Sequence, residues 1–269
     1  WELPQRISIS TAPPLSGDSC LGIAAAAALD MDQIVGPHSW PGMANLVNPW
    51  LTVLVVAVIS GLLTYNANVM LRDYAAKAPG GPLTARNKNG ILKVEAWNYL
   101  VSVCSQSFVL PTIWVAAFLN RPANWWFQGE HDLACACFSG WVIGNYIQDC
   151  KFNWADNSPL IVLHHLGSIL LVLCAFGSSG WLGLSITMGF TYEVGSLLCG
   201  LVDLNMAPRS SGPIAMLVTT ILGMSFVIHG MVVSPPPDAA GWGAGVIAGF
   251  GGLARIQQSC AYLAEAKSE

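Results

Sequence analysis

The chain has 269 residues, 54% of them hydrophobic and 10% charged, with 11 Lys and Arg against 15 Asp and Glu and a net charge of −4. Soluble proteins carry roughly 25% charged residues, so too few ionic groups are present to solvate a domain of this size. That balance excludes an ordinary cytosolic enzyme, a nucleic-acid binder with a basic face and a disordered chain. The 11 Trp and 27 Gly fit a bilayer as the principal solvent.

Residues 1–45 read as an extramembrane segment. Within them residues 21–29 are apolar but too short to span and are followed by Asp30 and Asp32, which suits a short surface helix or the remnant of an organelle-targeting region. A spanning helix needs about 20 apolar residues, because each adds about 1.5 Å across a core of about 30 Å. Seven runs meet that need: 46–71, 95–119, 132–149, 159–176, 181–202, 212–233 and 239–263. The third is short and carries Asn145 and Gln148, so it is expected inside a bundle; Pro111 is expected to kink the second. The seventh is Gly-rich, which suits close helix contact. Pro- and Gly-rich breakers separate the runs, and no alternating pattern supports a β-barrel. The fold class read from this is an all-α polytopic membrane helix bundle of about seven transmembrane helices. Its parts are a first span with a basic loop (46–92), a central bundle (93–233), and a last span with a C-terminal tail (234–269).

With seven spans, Arg72, Lys77, Arg86, Lys88, Lys93, Lys151, Arg209, Arg255 and Lys267 fall on one side, and Arg6 and Arg121 on the other. The positive-inside rule then sets the N-terminus outside and the C-terminus on the cytoplasm-like side. Among the eight Cys no C-x-x-C pair occurs, and Cys135 and Cys137 point to different faces of a helix. They read as small packing residues, and no metal site is expected.

Ionisable groups inside spans are expensive and mark candidate sites. Here they are Asp149, His164, His165, Glu193 and His229, with Tyr146 and Asp156 close to the first three in sequence. Successive helical residues differ by about 100°, so His164 and His165 are expected to take different roles, one facing a cavity and one packing on a neighbouring helix. A carboxylate beside an imidazole fixes its tautomer and raises its basicity, as general-base or nucleophilic chemistry requires. The short connection from the third to the fourth run lets Asp149 approach the His pair, and Glu193 is expected to find a His partner.

Tyr146-x-x-Asp149 at the end of one run, Asp156 in a short loop and His164-His165 opening the next resemble the TLC domain, a family of multipass membrane proteins that includes ceramide synthases. Tyr192-Glu193-Val194-Gly195-Ser196 and the polar entry Lys93-Val94-Glu95-Ala96-Trp97-Asn98 are similar to further parts of that domain, so the likeness spans residues 93–233. The resemblance implies a bundle around a lipid-accessible central cavity, with bound lipid in place of a cofactor. It implies acyl-transfer chemistry at His164, His165, Asp149 and Asp156, and lipid contact at Glu193, Tyr146 and His229. The chain departs from the family pattern after His165, where no charge follows for ten residues, and at residues 98–106, which lack Arg and His. Those departures point to a protein that binds or handles acyl lipids without necessarily transforming them. It would sit in the endoplasmic reticulum or in a chloroplast or mitochondrial membrane, with membrane lipids as partners and no nucleic acid. The alternative is a non-catalytic accessory subunit of a larger photosynthetic or respiratory membrane complex, suggested by the missing charges, the Gly-rich last run and the many Trp. A retinal-binding receptor or pump is not supported, because the seventh run has no mid-depth Lys.

Overall fold

The computed structural model describes residues 48–85, 95–118, 131, 133–153, 159–178 and 181–268. Among these residues the chain forms helices and no strand: α1 (Pro49–Lys77), α2 (Ala96–Phe118), α3 (Leu133–Asn153), α4 (Pro159–Gly177), α5 (Leu182–Asp203), α6 (Ser211–Val233) and α7 (Ala239–Ser268). Each helix falls on one of the apolar runs of the sequence. By length and composition, α1, α2, α5 and α6 can cross a membrane, and α4 carries a shorter apolar stretch, Val162–Gly177. The extramembrane segment expected at 1–45 lies outside the described residues.

Helix α1 has its polarity turned inside out. Asn48 caps it, its side-chain oxygen accepting from the Leu51 N–H at 3.0 Å, and Pro49 opens the first turn. The buried stripe is Val53, Ala57, Ser60, Thr64 and Asn68, whereas Leu51, Leu54, Val55, Val58, Leu62 and Leu63 are exposed. In water that partition would be unfavourable. In hydrocarbon it is the expected one, since lipid tails solvate Leu and Val while small and polar residues let helices approach. Helix α6 repeats the pattern, burying Gly212, Thr220, Gly223 and Gly230 and exposing Val218, Ile221, Leu222 and Ile228.

The α1–α3 seam is a backbone contact. A Cβ on Gly144 would lie 2.2 Å from the Ala57 carbonyl oxygen and 2.7 Å from the Gly61 nitrogen, and one on Gly140 would lie 2.6 Å from the Val53 carbonyl oxygen. The Ser60 hydroxyl lies 3.2 Å from the Ala57 carbonyl oxygen and 3.3 Å from that of Gly140. Helix α3 thus lies inside the bundle, as its Asn145 and Gln148 lead one to expect, and both are buried. The Gly-rich α7 makes the expected close contacts at part of its glycines, and there against side chains. Added Cβ atoms at Gly245 and Gly252 would meet the flexible ends of Met231 and Met224, while Gly249 and Gly251 border open space. The closest backbone approach is that of α1 and α3, with α5 and α6 next at Gly195, where a Cβ would lie 3.0 Å from the Met216 Cα.

Named contacts fix the helix directions. Val53 lies by Gly140 while the Lys151 ammonium sits 4.7 Å from the Tyr65 ring centre, so α1 and α3 run parallel. Gly177 faces Ala240 and Cys174 faces Gly243, so α4 and α7 are antiparallel. Leu184 meets Gly230 and Met216 meets Gly195, so α5 and α6 are antiparallel. Phe190 stacks on Trp114 at 4.6 Å while Gly200 approaches Val103, so α2 and α5 are antiparallel as well. The C-terminal end of α7 reaches the α5–α6 turn, where Arg209 and Glu265 pair at 3.6 Å. That turn begins with Asn205 in the left-handed region (φ 59°), and the N–H groups of Asn205 and Met206 close back on the carbonyls of Val202 and Leu201, a Schellman stop.

The disturbance expected at Pro111 takes the form of a π-helical turn over Ser105–Val109, in which the Leu110 N–H bonds the Ser105 carbonyl. A proline ring clashes with the carbonyl four residues earlier. Widening the preceding turn relieves that clash and shifts the facing of everything N-terminal to it, including Gln106.

Candidate functional site

The fold brings α2, α3, α4, α5 and α7 around a cavity of about 550 Å³. It occupies the half of the bundle where α3, α5 and α7 end and α2 and α4 begin, as its lining by Asn98, Asp149, His164, Asp203 and Tyr262 requires. A narrower recess of about 40 Å³ leads on from it. The two spaces share a polar ring of Tyr146, His164, Ser168, Tyr192, Glu193 and Arg255. Past the ring the recess walls are mainly apolar, among them Phe138, Val142, Ala175, Leu182, Ile186 and Gly189, with Ser139 and Ser185 the polar exceptions.

Glu193 is buried on α5 and ties three helices together. Its carboxylate accepts from the Tyr146 hydroxyl of α3 and, at 2.7 Å, from the Gln106 amide of α2. The expected His partner is thus replaced by two neutral donors. Gln106 reaches Glu193 from the π-helical turn, and the adjacent Ser105 hydroxyl accepts from the Trp141 indole N–H at 2.7 Å. Sequence reading had no way to foresee the turn's exact phase.

Both imidazoles line the cavity, so the expected division of the His pair is only half realised. His165 stacks on Tyr146 with ring centres 5.0 Å apart and planes at 19°, and its Nδ1 lies 3.8 Å from the Cys150 sulfur. His164 meets Tyr146 edge-on at 6.4 Å and alone of the pair also borders the recess. Asp149 lines the same cavity, and no hydrogen bond joins it to either imidazole. Asp156 lies outside the described residues. His229 sits on the exposed face of α6, away from the cavity lining. Among the described residues no group of three His, Cys, Asp or Glu is placed to hold a metal ion, and no disulfide joins their cysteines.

Arg255 is the member of the ring that sequence reading assigned to the membrane boundary. It is 5% exposed, inside the bundle, with its guanidinium 5.0 Å from the centre of the Tyr192 ring. Nε donates to the Thr220 hydroxyl at 3.2 Å, Nη1 to the Ser196 hydroxyl at 3.3 Å and Nη2 to the Tyr192 carbonyl at 3.0 Å. Tyr192 and Ser196 are one helical turn apart on α5 and so present one face to it. Gly195 between them leaves room, since a Cβ there would lie 3.2 Å from Nη2 and closer still to the Thr219 hydroxyl.

Comparison of the chain with known protein families, characterised proteins and solved structures returned no match. The site is therefore read from its own chemistry: a polar ring with buried charges of both signs, between a wide cavity and an apolar pocket. Arg255 carried a usable signal in the sequence, as a cation well inside the seventh apolar run. Counting it as a topology marker concealed that signal.

Proposed function

We propose that this chain is an integral membrane protein with all seven helices crossing the bilayer, and that its TLC-like bundle binds an acyl lipid. The polar end of the lipid sits at the ring of Tyr146, His164, Glu193 and Arg255, and its chain enters the apolar recess. The observation that carries this reading is the junction itself, where every shared lining residue but Leu171 is polar, while the recess beyond is mainly apolar. An amphiphile has that same division, and ligand sites are typically apolar pockets with a few placed polar groups.

Binding accounts for the site better than acyl transfer does. A general base is usually oriented by a third group, and among the described residues no carboxylate is hydrogen-bonded to either imidazole. Glu193, the best-held carboxylate, is bound to Tyr146 and Gln106 and so serves to shape the ring. The alternating helix directions support seven crossings, with the basic ends of α1 and α3 on the C-terminal side.

Native mass spectrometry of the protein released from mild detergent tests the reading. One acyl lipid should stay bound at about one copy per chain and be lost in Leu182→Trp, which fills the recess. A spectrum with no retained lipid, or retention undiminished in Leu182→Trp, contradicts it.

A further inference from the structure

Arg255 has a feature that the shape of the cavity does not explain. It is a permanent cation, 5% exposed, whose guanidinium groups donate only to two hydroxyls and a backbone carbonyl. Among the described residues no carboxylate lies within 4.0 Å of it, the ion pairs there being Arg72 with Asp73 and Arg209 with Glu265. The Glu193 carboxylate borders the same cavity and recess and attracts the guanidinium through space, but its hydrogen bonds come from Tyr146 and Gln106 and it forms no contact ion pair with Arg255. A buried guanidinium whose direct partners are all neutral retains part of its desolvation penalty, because dipoles offset a full charge incompletely. The group faces open space, so an anion in direct contact with it can come from whatever fills that space.

We infer that Arg255 is the anchor for an anionic head on the bound amphiphile, a carboxylate or a phosphate. This rests on the lipid reading above and adds the charge of the ligand to it. Thr220, Ser196 and the Tyr192 carbonyl hold the guanidinium in place, so little side-chain freedom is lost when the anion arrives. The guanidinium offers five N–H donors, of which the three observed bonds use three. The remaining donors can meet an oxyanion. The Tyr192 ring over the guanidinium keeps the ion out of water. An oxyanion paired here also gains from low dielectric, whereas a neutral head of equal size would gain only an ordinary hydrogen bond.

The test uses the full-length protein, delipidated and reconstituted in nanodiscs of neutral phosphatidylcholine. Three probes with the same sixteen-carbon chain are titrated: hexadecanoate, hexadecyl phosphate and hexadecanol. At least one anionic probe should bind about tenfold or more tightly than the alcohol, the usual margin of a charge-assisted hydrogen bond over a neutral one. Whether the carboxylate or the phosphate gains more identifies the head. Arg255→Gln should abolish that preference, and Arg255→Lys should keep part of it. Equal affinity of all three probes for the unsubstituted protein overturns the anionic anchor and leaves the lipid reading standing. Failure of every probe to bind overturns both. The comparison among probes needs no variant, so misfolding of Arg255→Gln does not blunt it.

Discussion

Gly189→Leu is expected to weaken binding of a sixteen-carbon amphiphile about 50-fold, and to weaken shorter chains that still reach Gly189 by a similar factor. Gly189 lies on α5 at the recess, and a Cβ there would meet only the edge of the Phe138 ring, at 3.7 Å. Gly189 is one helical turn from Glu193 and about two from Leu182, so a larger side chain there grows into the recess between the polar ring and its far end. A Leu side chain displaces about three methylenes, each worth about 0.8 kcal/mol when buried, or about 2.4 kcal/mol in all. Titrating saturated acids of increasing length against both proteins measures this directly. In the native protein affinity should climb with every added methylene, while in Gly189→Leu the curve should fall below it by about the same factor for every chain long enough to reach that side chain. Coincident curves at all lengths would place the chain elsewhere.

The second large effect concerns the frame that holds the site. Gly144→Leu should destabilise the bundle by about 3 kcal/mol or more, because overpacking typically costs 1–3 kcal/mol even where side chains can yield. Here the obstacles are the Ala57 carbonyl and the Gly61 backbone of α1, which cannot rotate away. Tyr146 lies on the same helix close by, so displacing α3 also loosens its bond to Glu193. Unfolding in mixed micelles with rising SDS should show a much earlier midpoint for Gly144→Leu. Gly249→Leu, on an α7 face with nothing within 4 Å of the added Cβ, should melt close to the unsubstituted protein. Equal midpoints for the two variants would mean that α1 and α3 do not touch as described.

Much of the fold was legible because a bilayer imposes simple lengths. The apolar runs between Pro- and Gly-rich breakers match α1 to α7, and Asn145 and Gln148 correctly marked α3 as an interior helix. Packing was less legible. Gly content drew attention to α7, but close approach depends on which face a glycine occupies and what lies opposite. Gly140 and Gly144, four apart on α3, meet a small-residue stripe on α1 and make the contact. The composition of one helix cannot reveal that match.

At the site, rarity in an apolar run identified His164, His165, Asp149 and Glu193, and all four border one cavity. Their pairing was not legible, because it depends on helix phase. The π-helical turn before Pro111 brings Gln106 to Glu193, and α7's rotation takes Arg255 inward between α5 and α6. His229 shows the converse: its residue type drew notice, yet helix phase leaves it on an outward face.

Photo-crosslinking with a fatty acid bearing a diazirine at its terminal carbon tests the central claim most directly. After irradiation in nanodiscs and peptide mapping, the recess predicts adducts on Phe138, Leu182 or Ile186, competed away by unlabelled acid of the same length. Adducts confined to the lipid-facing side chains of α1 and α6, such as Leu54, Leu62, Val218 and Ile228, and indifferent to competitor, would contradict a bound chain inside the bundle.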